Sequence, residues 1–299
     1  MSDDAAKGTT PLGIIFNPFT YLSVPNLAYF ALALAVHGAG LFPLALTVTT
    51  GGATLRADAA RTVGYRCALT AAVYSAWHYL LYVRAPPAAA AGAKFNPKYP
   101  PAAAHRENVL FTMGGTVVGA LFDVALLAWA AARGAAPLDD APVALSFARA
   151  PARFVALAVF AAFVSDIHFW CVHRFMHPWR LRGLPRALDG GAWLYRHVHS
   201  LHHRNRNPGP WSGLSMHPVE HLLYFSRALW VLPCHWLGFP AHSVHFLFTV
   251  LRATLGPAPG HHGFEKLGGS RFHYLHHLHV ECNYGTRGSM DKLFGTFRE

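Results

Sequence analysis

Eighteen of the 21 histidines lie between His168 and His279. This bunching constrains the chain more than any other feature, because unpaired imidazoles fill a core poorly and a chance excess would scatter. The histidines fall in DIHFWCVHRFMH (166–177), LYRHVHSLHH (194–203) and FHYLHH (272–277). His173 and His177 are four residues apart. At ~100° per helical residue their rings sit about 40° apart on one face. His199, His202 and His203 also share a helix face, and the spacing predicts three rings on a common centre. His273, His276 and His277 repeat the pattern. Eight imidazoles exceed the roughly six positions one ion offers, so the spacing predicts two ions. Asp166 lies on the face of His173 and is expected to accept the second ring N–H of a ligand.

Apolar residues make up 53% of the 299 positions, and charged residues only 13%, about half the ~25% usual in soluble domains. That balance predicts an integral membrane protein. The first apolar run is Leu27–Val48, the second Cys67–Val83, the third Asn108–Ala132, and a fourth starts at Phe154. Each is long enough, or nearly so, to cross about 30 Å of hydrocarbon. Gly114, Gly115 and Gly119 predict close helix packing. Asp123 must face protein or water. Leu222–Phe239 and Ala241–Leu255 read as a hairpin dipping into the membrane. The first 26 residues lack the basic start and cleavage site of a signal peptide, and NPFTYLSVPN reads as an interfacial lead-in. The expected fold is all-α, with about four transmembrane helices. The expected division is residues 1–150, a membrane region with about three spans, and 151–299, the half carrying the histidine clusters, which the resemblance described below makes a cytosolic helical cap and catalytic domain.

The net charge is +11. Seven arginines between Arg174 and Arg206 suit an anionic cytosolic leaflet or the docking of an acidic redox partner. No nucleic-acid recognition module accompanies them. The four cysteines form no CxxC pair, which argues against a disulfide framework or a zinc knuckle. Few carboxylates stand near the histidines, which excludes a carboxylate-bridged bundle built on Glu-x-x-His pairs. Imidazole alone suits iron, zinc or copper. A zinc-dependent membrane hydrolase with Glu220 as base therefore stays open, as does a metal transporter or storage protein.

The order of HRFMH (173–177), LYRHVHSLHH, HPVE (217–220), HHGFE (261–265), FHYLHH, NYG (283–285) and DKLFGT (291–296) resembles the fatty acid hydroxylase/sterol desaturase superfamily. The resemblance covers about residues 154–297. It implies a cytosolic cap around two iron ions that use dioxygen. By the resemblance the ligands are His173, His177, His199, His202, His203, His273, His276 and His277, with His217 and His262 as ninth and tenth. Glu220, Asn283 and Asp291 would support them. His168, His197, His221, His261 and His279 have no place in the pattern. The implied reaction is hydroxylation or desaturation of a lipid reaching the site from the bilayer, a sterol first, then a fatty-acyl, ether-lipid or carotenoid substrate. With no flavin, nicotinamide or haem module in the chain, electrons are expected from a separate b-type cytochrome or ferredoxin system. The expected location is the endoplasmic reticulum or a bacterial inner membrane.

Overall fold

The computed structural model describes residues 10–41, 52–84, 93–181, 183, 185–265 and 271–299. After the short α1 (Pro11–Phe16) come α2 (Val24–Gly38), α3 (Gly52–His78), α4 (Ala102–Ala131), α5 (Val143–Arg149) and α6 (Pro151–Phe175). Only α4 and α6, among the described residues, are long and apolar enough to cross a membrane. The expected four spans are therefore reduced to two candidates. The first expected span runs from α2 into residues 42–48, which lie outside the described residues. The second falls within α3 and the π turn Tyr79–Arg84 that continues it. α3 opens with Arg56, Asp58 and Arg61, which makes it polar along its first half.

The chain that follows α6 is built from shorter pieces. They are α7 (Gly190–Leu194), a π turn Tyr195–His199, α8 (Ser200–His203), α9 (Pro218–Phe225), α10 (Val231–Trp236), α11 (Ser243–Leu255), α12 (Pro257–Gly260), α13 (Arg271–His279) and α14 (Ser289–Leu293). Proline at the first turn of α6, α9 and α12 fixes where each begins, since its missing N–H costs nothing there. A two-residue parallel pair, β1 (Leu138–Asp139) with β2 (Ala241–His242), ties the entry of α11 to the loop before α5. His242 and His245 act structurally: the first caps α11, and the second reaches the Phe154 carbonyl at 2.9 Å.

Of the stretches expected to form a hairpin, Leu222–Phe239 folds as α9, a 3-10 turn (Ser226–Trp230) and α10, and Ala241–Leu255 as β2 and α11. α11 is buried at every position except Arg252 and is surrounded by α2, α3 and α6. Its thirteen residues span only about 20 Å, short of the ~30 Å of a hydrocarbon core. Leu247, Val250 and Leu251 sit at the centre of the main apolar cluster.

Two sequence details explain the packing. A Cβ on Gly115 would meet the His221 ring at 2.0 Å, and one on Gly119 the Phe225 ring at 2.6 Å, so α9 lies directly on α4. Gly114 faces open space and takes no part. Asp123 of α4 faces protein, as expected: it pairs with buried Arg66 of α3, whose Nη2 donates to Thr254 Oγ1 of α11 at 2.7 Å. This clamp joins three helices. Breaking such a buried pair costs about 3–5 kcal/mol.

Candidate metal centre

The last turns of α6 deliver His173, and the turn beyond it delivers His177. The π turn and α8 carry His199, His202 and His203; α13 carries His273, His276 and His277. The structure brings all eight together as buried rings, but it divides each triplet. His173, His177, His199, His203 and His276 form one group, and His202, His261, His273 and His277 another, each with its donor atoms within 4.8 Å of one another. The expectation of three rings on one centre is thus corrected. On a helix, residues i and i+4 lie about 40° apart, whereas i+3 swings about 60° to the other side. His199 and His203 therefore serve one group and His202 the other; His273 and His277 serve the second and His276 the first. The two groups adjoin, with the His203 and His277 rings 5.1 Å apart.

The second ring nitrogens fix the tautomers. His173 Nδ1 donates to the Tyr284 carbonyl at 2.6 Å, His276 Nδ1 to that of Cys282 at 2.6 Å, and His261 Nδ1 to that of Pro257 at 2.8 Å. His202 Nδ1 reaches the Ser215 carbonyl at 3.3 Å, and His199 Nδ1 donates to Glu220 Oε1 at 2.7 Å. Each of these Nε2 atoms is left as a bare lone pair. Yet His173 and His199 bring Nε2 to Nε2 at 3.1 Å, and His202 and His261 at 3.4 Å. Two bare nitrogens repel at that distance unless a cation lies between them. Donors at ~2.1 Å from one ion and at right angles would stand about 3.0 Å apart. His177 and His277 supply further evidence. Both are fully buried, and neither ring nitrogen of either finds a hydrogen-bond partner among the described residues. Orphaned buried nitrogens of this kind mark a missing ion or water. The donor set fits two metal ions.

Electrostatics agree. Burial, and then the neighbouring imidazoles, hold His177, His199, His203, His273 and His277 well below the ordinary histidine pKa. Burial likewise lowers His261 to about 4. Neutral imidazole is the ligating form. Burial pushes the Glu220 carboxyl up.

The loop after α13 holds the supporting carbonyls in place. Val280 and Asn283 take positive φ, which turns the chain back. Buried Asp291 accepts from the Tyr284 and Gly285 amides at 2.8 and 2.9 Å, and Asn283 Nδ2 donates to the Phe272 and Arg298 carbonyls. The expected supporting roles of Glu220, Asn283 and Asp291 thus have physical form. Asp166 is a correction. It binds Arg252 at 2.5 Å and Arg287 at 3.0 Å instead of a histidine.

His217 and His262, expected as ninth and tenth ligands, lie outside both groups. His217 caps α9 by accepting the Val219 amide at 3.2 Å. His262 stacks on Trp77 and accepts the Phe264 amide at 3.0 Å. The residue that sequence reasoning missed is His261. Neighbouring residues point to opposite sides of the chain, and the doublet itself gives no sign of which one faces inward.

A cavity of about 450 Å³ opens on both groups, at His173 and His199 of the first and His202, His261 and His273 of the second. It is also lined by Ser23, Asn26 and Tyr29 around the start of α2. In the same N-terminal stretch Phe16, Phe19 and Val24 are exposed by 69%, 76% and 79%. An apolar cluster of that kind suits a lipid surface.

Residues 158–296 match the fatty acid hydroxylase family. A very-long-chain aldehyde decarbonylase of Oryza sativa subsp. indica is 32% identical over 158 residues, covering 48% of this chain and 53% of the relative. A putative methylsterol monooxygenase of Dictyostelium discoideum is 29% identical, covering 50% and 54%. Lathosterol oxidase of Rattus norvegicus is 29% identical, covering 40% of each. The chain thus spans about half the length of the curated relatives it matches. No solved structure matches. All three histidine motifs fall inside the matched segment, and residues 158–296 belong to the fatty acid hydroxylase/sterol desaturase superfamily.

Proposed function

We propose that this protein is a dioxygen-dependent di-iron oxidoreductase that hydroxylates or desaturates a membrane lipid, with a sterol as the first class to test. The observation that carries the reading is nine buried imidazoles in two adjoining groups that open on one cavity. His173, His177, His199, His203 and His276 would hold one ion, and His202, His261, His273 and His277 the other. Bound iron supplies the redox chemistry that attack on an unactivated C–H bond requires.

The chain's own residues do the rest. The Tyr284, Cys282, Pro257 and Ser215 carbonyls, with Glu220, orient the rings and keep Nε2 free of protons. Phe169, Val172, Met176 and Met216 line the cavity and exclude water from the reacting carbon. The exposed aromatic residues of α1 and the turn beyond it bring the mouth to the bilayer. Electrons come from a separate donor, a b-type cytochrome or ferredoxin system. The protein is integral to the endoplasmic reticulum or a bacterial inner membrane. Names among the relatives divide between sterols and very-long-chain aldehydes.

In the hydrolase alternative Glu220 would be the base; its Oε1 is taken by His199, while its Oε2 has no partner among the described residues and the side chain lines the cavity, so the metal decides between the two readings. Transport or storage is disfavoured because the ligands converge in one place. Metal analysis and oxygen uptake on the purified full chain test the proposal. Two irons per chain, with dioxygen consumed on adding lipid and reductant, is the expected result. Zinc with no uptake would replace this reading with the hydrolase.

A further inference from the structure

The cavity that reaches the histidines also borders two polar side chains outside both groups, His168 and Arg227. Their hydrogen bonds can be worked out atom by atom. Ser226 Oγ donates its proton to the Leu223 carbonyl at 2.7 Å. Only lone pairs then remain for His168 Nε2, 2.8 Å away, so Nε2 carries the imidazole proton. His168 Nδ1 is left as an acceptor. It is buried and meets no donor among the described residues.

Arg227 presents the opposite need. It is 5% exposed, donates from Nε to the Tyr224 carbonyl at 3.0 Å and lies over the Tyr224 ring at 3.9 Å. Its Nη2 is buried with no acceptor among the described residues. Asp166 pairs with Arg252 and Arg287, and Glu220 spends Oε1 on His199, its Oε2 remaining without a partner among the described residues. A buried polar group left without a partner is costly, so both groups favour a ligand that satisfies them. One wall of the cavity therefore lacks a partner for a donor and for an acceptor, on residues joined through Ser226.

We propose that His168 and Arg227 recognise a hydroxyl group on the lipid substrate. A hydroxyl oxygen accepts from Arg227 and gives its own proton to His168. A ketone can only accept, an ionised carboxylate or phosphate has no proton to give, and a hydrocarbon does neither. His168 precedes His173 by five residues of α6, about 7.5 Å of helix. The anchored end of the lipid is thus set a fixed distance from the metal centre. The inference rests on the lipid-oxidising reading and deepens it by naming the handle by which the lipid is held.

The test is direct binding to the full chain in phosphatidylcholine nanodiscs, with two ligand series. One is cholesterol, cholest-4-en-3-one and 5α-cholestane; the other is octadecanol, nonadecan-2-one and octadecane. In at least one series the alcohol should bind about tenfold or more tighter than both the ketone and the hydrocarbon. The series that discriminates tells a sterol from a linear alcohol. Arg227→Gln and His168→Phe should each cut that preference to about threefold or less while hydrocarbon binding stays unchanged. Equal binding of alcohol and ketone in both series, or a preference that survives both substitutions, overturns the proposal. Should the variants fail to fold, the wild-type ratio of alcohol to ketone decides alone. Alcohol preference without dioxygen uptake would sink the oxidase reading only; uptake without preference would sink this inference only.

Discussion

The group of five histidines and the group of four draw on the same two triplets, yet their surroundings differ. In the group of five, His177, His203 and His276 stay clear of the cavity, and only His173 and His199 border it. In the group of four, three of the four rings border it. The first group nearly fills the roughly six positions of one ion, whereas the second leaves room. The supports differ too. Two rings of the first group lean on the loop pinned by Asp291, and a third leans on Glu220. In the second group, His202 and His261 lean on carbonyls of the segment before α9 and of α12. The comparison suggests a closed, well-braced site beside one that faces the substrate.

The largest expected effect comes from removing a ring. His276→Ala should empty the group of five, and His277→Ala the group of four. Each should leave about one iron per chain by elemental analysis and cut turnover more than about a hundredfold. Full activity in either variant would end the assignment. Asp291→Ala comes next. It frees the loop behind His173 and His276, so iron should be lost from the group of five before the group of four. Equal loss from both would erase the distinction. Glu220→Gln should weaken iron retention about 10- to 100-fold in chelator competition, because the acceptor for His199 Nδ1 changes character.

Acid offers a subtler probe. His261 has a folded pKa of about 4, below the ordinary value near 6.5. Between those values the unfolded chain binds more protons than the folded one. The stability of the metal-free protein should therefore be fully present above about pH 6.5 and fall steadily toward pH 4. Thermal unfolding across that window measures it, and a flat profile would contradict the burial argument. The smallest effect is expected from His217→Ala. Metal content should not change, and stability should drop by about 1 kcal/mol through loss of the cap.

Much of the centre could be read from the sequence because helical geometry is local. The spacing of His173 and His177, and of each triplet, placed eight rings on inward faces without any tertiary knowledge. The splitting of each triplet was also implicit in the ~100° turn per residue, although the reading placed all three rings together. The choice between His261 and His262 was not legible. It depends on how α12 packs against α3 and the turn Pro210–Ser212, contacts between distant parts of the chain. Asp166 illustrates the same limit. Its helix face was right, but Arg252 and Arg287 arrive from 86 and 121 residues away and claim it. Hydropathy alone did not reveal that protein surrounds α11 on all sides, since an apolar stretch reads alike whether lipid or protein covers it.

The interleaving of the triplets carries one last consequence. Because α8 and α13 each supply rings to both groups, neither ion could be gripped without fixing the register of both helices. The first ion to arrive would thus organise the pocket for the second. Metallation of the intact chain would follow a steep, sigmoidal course as iron is supplied, and a variant lacking one group would keep its remaining ion with lowered affinity.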